Sequence, residues 1–160
     1  MCSEADGVVA VCCKETREND PSLLSIVLPV YNERATFEQL IQSVLEKRFD
    51  VVNREIIIVE SNSTDGSREL VQQYETQPGV KVIYENEPRG KGHAVRNGLN
   101  HASGSIILIQ DADLEYDPQD YPRLLEPIAS GRADVVYGSR FVGGDSHRYC
   151  TSGTQWATDC

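Results

Sequence analysis

The 160-residue chain lacks several features that would assign it to a familiar class of protein. No apolar run approaches the roughly 18 residues that a membrane-spanning helix requires, so any membrane contact is expected to be peripheral. Lysine and arginine number 15 against 25 aspartates and glutamates. This balance argues against a nucleic-acid partner, because such binding depends on cations that neutralise phosphates. Neither a disulfide scaffold nor a paired zinc site is expected, since the five cysteines lie only near the two ends, as Cys2, Cys12, Cys13, Cys150 and Cys160. We expect a cytoplasmic protein.

Several well-known nucleotide- and substrate-binding motifs are also absent. There is no G-K-[ST] phosphate loop and no G-x-S-x-G nucleophile elbow, which disfavours P-loop enzymes and serine hydrolases. The dinucleotide-binding motif G-x-G-x-x-G is not matched: Gly90 and Gly92 could be its first two glycines, but Val95 occupies the position of the third. A calcium-binding EF-hand loop fails because Tyr116 occupies its glycine position and Pro122 the position of its bidentate glutamate.

Apolar segments alternate with helix-like segments along most of the chain. Leu23–Val30 is apolar enough to be a strand buried on both faces, and further strands are predicted at Glu55–Val59, Val80–Tyr84, Ser105–Gln110 and Ala133–Tyr137. Thr36 and Gln39 have capping-box spacing at the start of one helix, a second helix is expected at 67–76, and Asp117 followed by proline is typical of a helix start. This alternation predicts an α/β fold with a mainly parallel, Rossmann-like sheet.

Polar clusters follow the predicted strands, as expected for a site at the carboxyl edge of a parallel sheet. The sharpest signal is Asp111-Ala112-Asp113, because residues two apart in extended backbone point the same way and can share one hard cation. Glu115 is a third candidate ligand. Mg²⁺ or Mn²⁺ at this position would offset the charge that grows on a diphosphate leaving group. The alternative interpretation is a solvated acidic turn that caps the next helix.

Two basic residues are candidates for phosphate binding. Lys91 lies between glycines at the expected N-terminus of a helix, where free N–H groups and the macrodipole favour anions. Arg140 follows a pair of small residues and carries a planar fork of donors that matches phosphate oxygens. Taken alone, each is equally compatible with a solvated surface position.

Taken together, these residues resemble the family 2 glycosyltransferases of the GT-A fold, and especially the polyprenyl-phosphate sugar transferases such as dolichyl-phosphate mannosyltransferase. The segment Pro29-Val30-Tyr31-Asn32-Glu33 is similar to the first-strand motif of that family. The resemblance implies that Pro29, Tyr31 and Glu33 line the pocket for the base and ribose of the donor. Asp111 and Asp113 match the family's D-x-D metal motif. The resemblance implies that Asp111 binds both the metal and the donor, and that Asp113 binds the metal as a catalytic residue. Glu115 would provide a further metal ligand.

The resemblance also implies a reaction. One sugar would pass from a nucleoside-diphosphate donor to an acceptor, with a divalent metal and with inversion at the anomeric carbon. For a polyprenyl-phosphate acceptor at the membrane surface, the attacking phosphate oxygen is already an anion, so it needs positioning more than a strong general base. Lys91 is assigned to the donor, and Arg140 to a phosphate of donor or acceptor as a catalytic residue.

The sequence departs from the family pattern in two places. Glu60 and Ser61 stand where relatives commonly carry two aspartates, so we assign both to donor binding and leave the base of the donor open. Residues 149–160 do not resemble the family, and we expect that the acceptor part of the GT-A fold is missing. The predicted domain therefore covers 22–148, after a disordered leader at 1–21, and donor binding is expected to survive better than turnover.

Two other functions fit parts of this pattern. A non-catalytic domain that binds a sugar nucleotide, or that regulates a partner, would need the donor pocket without the acceptor part. A nucleotidyltransferase would also use an α/β metal site, but the chain has no glycine-rich triphosphate-binding segment near its first predicted strand.

Overall fold

The structure is a computed structural model that describes residues 10–13, 20–47 and 53–138. Its strands are β1 (Ala10–Cys13), β2 (Asp20–Val30), β3 (Asn53–Glu60), β4 (Val80–Tyr84), β5 (Gly104–Ile109) and β6 (Val135–Tyr137). Its helices are α1 (Phe37–Glu46), α2 (Ser67–Gln72), α3 (Lys91–His101) and α4 (Tyr121–Ala129), with a 3₁₀ turn at Pro118–Asp120 before α4. The α/β class predicted from the sequence is confirmed.

The strands form one sheet in the order β4-β3-β2-β5-β1-β6. The first four strands in this order are parallel, whereas β1 runs antiparallel to both β5 and β6. A helix lies in each connection between the parallel strands, so the carboxyl ends of β2, β3 and β5 meet at one edge of the sheet. The predicted, mainly parallel sheet is confirmed.

Helices cover both faces of the parallel strands, which explains their continuous apolar sequences. Ile26 and Leu28 of β2 pack into a cluster with α1, α2 and α4, while Val27 between them packs into a second cluster with α3. In β3, Ile58 packs into the first of these clusters and Ile57 into the second. No helix within the described residues is long and apolar enough to cross a bilayer.

Helix α3 approaches the sheet very closely at Gly98. A Cβ atom at this position would stand 2.4 Å from Val27 Cγ1 and 3.2 Å from Val59 Cγ2. Such distances are shorter than ordinary van der Waals contact, so only glycine fits without a shift of the neighbouring atoms. The close packing holds the N-terminus of α3 beside the carboxyl edge of the sheet.

Two local predictions differ from the structure. Thr36 precedes α1, but its hydroxyl donates to Glu33 Oε2 at 2.7 Å and does not cap the helix, so the predicted capping box with Gln39 is wrong. Helix α2 ends at Gln72, four residues earlier than predicted. The prediction that Asp117 caps the following turn is confirmed, because its carboxylate accepts from the N–H of Gln119 at 2.8 Å.

The segment predicted to be a disordered leader contains strand β1. Its four residues pair with β5 on one side and with β6 on the other. The pairing gives hydrogen-bond partners to backbone groups on the edges of β5 and β6 that face β1, and these edges would otherwise be exposed. Because the partners are far apart in sequence, this pairing leaves no local signal in residues 10–13. Strand β1 and the first two residues of β2 thus lie within the segment 1–21 that was predicted to be disordered, while the domain boundaries at 22 and 148 remain predictions.

Candidate active site

An open cavity of about 440 Å³ lies at the carboxyl ends of β2, β3 and β5, beside the N-terminus of α3. This is the edge at which parallel α/β sheets bind ligands. Eight of the predicted site residues line the cavity, namely Pro29, Tyr31, Glu33, Ser61, Lys91, Asp111, Asp113 and Glu115. The structure thus brings into one space residues that come from three strand ends and one helix start.

The acidic segment after β5 is held by buried hydrogen bonds beneath it. Gln110 is fully buried, and its Nε2 donates to the carbonyl oxygens of Asp111 at 3.0 Å and Tyr116 at 3.3 Å. The hydroxyl of Tyr121, in α4, donates to Gln110 Oε1 at 2.8 Å. Burial raises the pKa of the Tyr121 hydroxyl, which therefore remains a donor at neutral pH. These bonds fix both ends of the loop that carries Asp111 and Asp113.

The two aspartates of this loop differ in their pairing. Lys91 Nζ lies 2.7 Å from both carboxylate oxygens of Asp111, which is only 6% exposed. Asp113 is more exposed, and its Oδ1 accepts from the N–H of Glu115 at 3.1 Å. One carboxylate at this end of the cavity is therefore covered by an ammonium group, and the other is open to solvent.

These carboxylates suit a hard divalent cation that is bound together with a phosphate ligand. Oxygen atoms are the ligands that Mg²⁺ takes in proteins, commonly one or two carboxylates together with substrate phosphates and water. Among the residues that the structure describes, no three Asp, Glu, His or Cys side chains converge on one point. Asp111 and Asp113 could each provide one ligand, while Glu115 does not join them in a three-ligand cluster. The remaining ligands must come from the bound molecule or from water.

The loops after β2 and β3 are tied together and form another wall of the cavity. Ser67 Oγ accepts from the N–H of Glu33 at 2.8 Å, and Asp65 Oδ2 accepts from the N–H of Arg34 at 3.0 Å. Burial raises the pKa of Asp65, but hydrogen bonds from Ser67 and Arg34 outweigh this effect and lower the pKa below its ordinary value. The ionised carboxylate therefore holds in place the loop that carries Tyr31.

Among the described residues, one predicted site residue does not line the cavity. Glu60 is fully buried, and its carboxylate accepts from the N–H groups of Asn62 at 3.2 Å and Ser63 at 2.6 Å. It also pairs with Arg68 Nη1 at 3.1 Å. Its carboxylate orders the loop after β3, so the geometry gives no direct contact with a ligand in the cavity. Arg140 lies outside the described residues.

A buried carboxylate that the sequence analysis did not select lies behind Ser61. Glu85 Oε2 accepts from Ser61 Oγ at 2.7 Å, while Oε1 lies 2.7 Å from His93 Nδ1 and accepts from Asn97 Nδ2 at 3.1 Å. Burial raises the pKa of Glu85, but hydrogen bonds from Ser61, Asn97 and His93 and the charge of His93 outweigh it, and the pKa lies below its ordinary value. Glu85 directly follows β4, so the strand-end rule that located the other clusters also applies to it.

Comparisons with known proteins agree with this architecture. The family model described as "Glycosyl transferase family 2" matches residues 25–158, a range that extends into the predicted atypical tail. Dolichol-phosphate mannosyltransferase of Pyrococcus furiosus is 36% identical over 121 residues, which make up 76% of this chain and 34% of the relative. The chain therefore spans about a third of the length of the curated relatives that it matches.

Two similar solved structures were determined with nucleotides and Mn²⁺. The mannosyltransferase PcManGT from Pyrobaculum calidifontis, in complex with GDP-Man and Mn²⁺, is 32% identical with a TM-score of 0.53 over 62% of this chain and 31% of its own. Glucosyl-3-phosphoglycerate synthase from Mycobacterium tuberculosis, in complex with Mn²⁺, UDP and glucosyl-3-phosphoglycerate, is 30% identical with a TM-score of 0.54 over 67% of this chain and 39% of its own. Both likenesses support the predicted GT-A fold.

Proposed function

The chain belongs to glycosyl transferase family 2, and on that premise we propose that its cavity binds a nucleoside-diphosphate sugar together with Mg²⁺ or Mn²⁺. The observation that carries this proposal is the convergence of eight predicted residues on one open cavity at the carboxyl edge of the sheet. The reaction is transfer of the sugar to an acceptor phosphate, with inversion at the anomeric carbon.

The lining of the cavity suits the different parts of a sugar nucleotide. Pro29 and Tyr31 offer an apolar surface and an aromatic ring, which suit a planar base, and Glu33 offers a carboxylate that can accept from ribose hydroxyls. Lys91 and Asp111 border the charged part of the cavity, which suits a diphosphate bound with a cation. Two similar solved structures hold GDP-Man or UDP together with Mn²⁺, and this supports the assignment.

The proposed transfer breaks the bond between the sugar and the diphosphate while an acceptor oxygen attacks the opposite face of the anomeric carbon. Negative charge therefore grows on the departing diphosphate. Lys91 and the N-terminus of α3 present positive charge and N–H groups to it. A divalent cation held by Asp111 and Asp113 supplies, when bound, further stabilisation of that charge. The buried Gln110 holds the backbone of the loop that carries both carboxylates, which lowers the reorganisation needed in the transition state.

A polyprenyl phosphate is the acceptor that we propose. The support is the relative from Pyrococcus furiosus, whose name states that it acts on dolichol phosphate. A phosphate oxygen is already anionic, so the acceptor needs positioning more than deprotonation, and Arg140 is our candidate for a contact with phosphate. Such an acceptor would bring the chain to a membrane surface, and we place it on the cytoplasmic side.

Calorimetric titration with GDP, UDP and their sugar conjugates tests the proposal, first with Mn²⁺ or Mg²⁺ and then with chelator. We expect one nucleotide to bind in the presence of metal and to bind much more weakly after chelation, because cation and diphosphate share one site.

Incubation with the matching sugar nucleotide and a polyprenyl phosphate then separates two functions. Sugar transfer supports the enzyme, whereas metal-dependent binding without product would identify a non-catalytic binding domain. The absence of binding by the folded chain would contradict the donor site.

Substitution of Asp113 tests the metal assignment. Asp113→Asn keeps the size of the side chain but removes the charge, so we expect loss of metal-linked nucleotide binding and a fall in any transfer rate on the order of 10²-fold. Asp134→Asn is the matched control, because Asp134 is exposed and does not line the cavity. An unchanged rate that still requires metal would exclude Asp113 as a ligand.

A further inference from the structure

The pair between Lys91 and Asp111 has a consequence for the order in which ligands bind. Lys91 Nζ lies 2.7 Å from each carboxylate oxygen of Asp111, so a single ammonium group covers both possible metal ligands of that residue. The side chain of Asp111 is 8% exposed and that of Lys91 47%. The ammonium therefore stands on the solvent side of a nearly buried carboxylate.

We propose that Lys91 is a displaceable counter-ion, which blocks Asp111 against a free metal ion and moves to the diphosphate when the donor arrives. This inference rests on the proposed donor site. Its new element is that Lys91 exchanges one partner, Asp111, for another, the diphosphate of the donor. Before binding, Lys91 neutralises Asp111, and after binding, the metal neutralises Asp111 while Lys91 contacts the diphosphate.

Charge and distance both oppose the binding of free metal in the unliganded cavity. A divalent cation needs oxygen ligands at roughly 2 Å, and at Asp111 the ammonium group already takes one lone pair of each oxygen and occupies the solvent side of the carboxylate. The two cations would also repel one another at close range in a partly buried site. Of the two aspartates, only Asp113 then keeps a carboxylate that no ammonium group covers in the described contacts, and a single carboxylate binds a hydrated divalent cation weakly.

A diphosphate should make the binding of metal favourable, because it brings both negative charge and oxygen ligands into the cavity. It provides a new partner for the Lys91 ammonium, which sits on a flexible four-carbon stem and is already half-exposed. It also supplies ligands that complete the coordination of a cation at Asp111 and Asp113. Each of the two ligands, metal and nucleotide, should therefore raise the affinity of the cavity for the other. Part of this effect should be lost when Lys91 is replaced.

The test is the affinity for Mn²⁺ alone, measured by electron paramagnetic resonance of the free ion at neutral pH. Wild type is compared with Lys91→Met and Lys91→Gln, two neutral variants of different polarity, and with Lys91→Arg, which keeps the charge. Arg89→Gln is the control for loss of one positive charge in the same loop, because Arg89 pairs with Glu87 at 2.7 Å. Thermal unfolding by circular dichroism shows that each variant is folded.

We expect both neutral variants to bind Mn²⁺ alone at least about tenfold more tightly than wild type, because a blocking cation has been removed. Lys91→Arg and Arg89→Gln should bind it as weakly as wild type does. Addition of Asp111→Asn to Lys91→Met should abolish the gain. Neutral variants that bind Mn²⁺ no better than wild type, or a gain that survives Asp111→Asn, would overturn the proposal.

A second titration separates failure of the exchange from failure of the donor site. Saturating GDP or UDP should raise the Mn²⁺ affinity of wild type by a larger factor than that of Lys91→Met. An equal factor in the two proteins would overturn the exchange and leave the donor site intact. The absence of any nucleotide effect in either protein would overturn the donor site, and the exchange with it.

Discussion

Single buried polar residues position the acidic segment of the cavity, and the hydroxyl of Tyr121 shows this most directly. Tyr121→Phe removes the donor to the buried Gln110 Oε1 and leaves that oxygen without this bond. We expect the free energy of unfolding to fall by about 1–3 kcal/mol in urea titrations, with weaker metal-linked nucleotide binding. Tyr137→Phe is the matched control, since Tyr137 is 69% exposed. An equal loss in the two variants would show that the buried bond has no special effect.

The buried carboxylate of Glu85 makes stability depend on pH. Its pKa in the folded chain lies below the ordinary value of 4.5, so its stabilisation is fully present above 4.5 and is lost as the pH falls through the lower folded value. Glu85→Gln should therefore be less stable than wild type at pH 7, by about 1–3 kcal/mol, and the difference should shrink below pH 4.5.

Urea unfolding over a series of pH values measures this effect of Glu85. Glu87→Gln is the control, because Glu87 is exposed and pairs only with the exposed Arg89 in the described contacts. A difference between Glu85→Gln and wild type that stays constant down to strongly acidic pH would contradict the assignment.

At the scale of the element, the two glycines of α3, one in its first turn and one in its interior, should respond in opposite ways to alanine. Gly98→Ala places a Cβ 2.4 Å from Val27 Cγ1, a distance at which neighbouring atoms must shift, so we expect a cost in the upper part of the range of about 1–3 kcal/mol, above the gain of about 1 kcal/mol in helix propensity. Gly92→Ala meets only the Arg96 side chain, at 3.9 Å, so the propensity gain should remain. Thermal and urea unfolding should show Gly98→Ala destabilised and Gly92→Ala neutral or stabilised. Stabilisation of both variants would mean that α3 can move away from the sheet at little cost.

The elements differ in how far local sequence could predict them. β2 and β4 were found from their apolar runs, because strands that are buried on one or both faces require such residues along their length. The capping box at Thr36 was wrong because the hydroxyl found a nearer acceptor on Glu33, a competition that residue spacing does not encode. β1 was missed because its pairing with β5 and β6 is a long-range arrangement.

The same reasoning explains which site residues were predicted. Asp111 directly follows a strand and is predicted by the strand-end rule, whereas Lys91 begins a helix and is predicted by the affinity of helix N-termini for anions; both residues line the cavity. Tyr121 was not found because an aromatic residue on a helix face is typical of a core position. Glu60 lies at a strand end as predicted, but its carboxylate is used by the backbone of Asn62 and by the Arg68 side chain. A pattern of residue types cannot show whether a carboxylate faces a ligand or its own loop.

At the scale of the whole molecule, β1 joins the parallel strands to β6. It lies between β5 and β6 in the sheet, so removal would expose the edge of β5 and take from β6 its only partner among the described strands. Exposed edges invite pairing with another chain. The sequence-based interpretation of a disordered leader predicts instead that removal has no effect.

Deletion of residues 1–13, compared with deletion of residues 1–8, distinguishes these two expectations. The shorter deletion keeps all of β1, whereas the longer one removes it and both of its ladders. We expect the longer deletion to lower the free energy of unfolding by at least about 2 kcal/mol relative to the shorter one, because several interstrand hydrogen bonds are lost. Size-exclusion chromatography should also show association of the longer deletion, since the edge of β5 becomes available. Equal stability and equal size for the two proteins would support the disordered leader and would remove β1 from the fold.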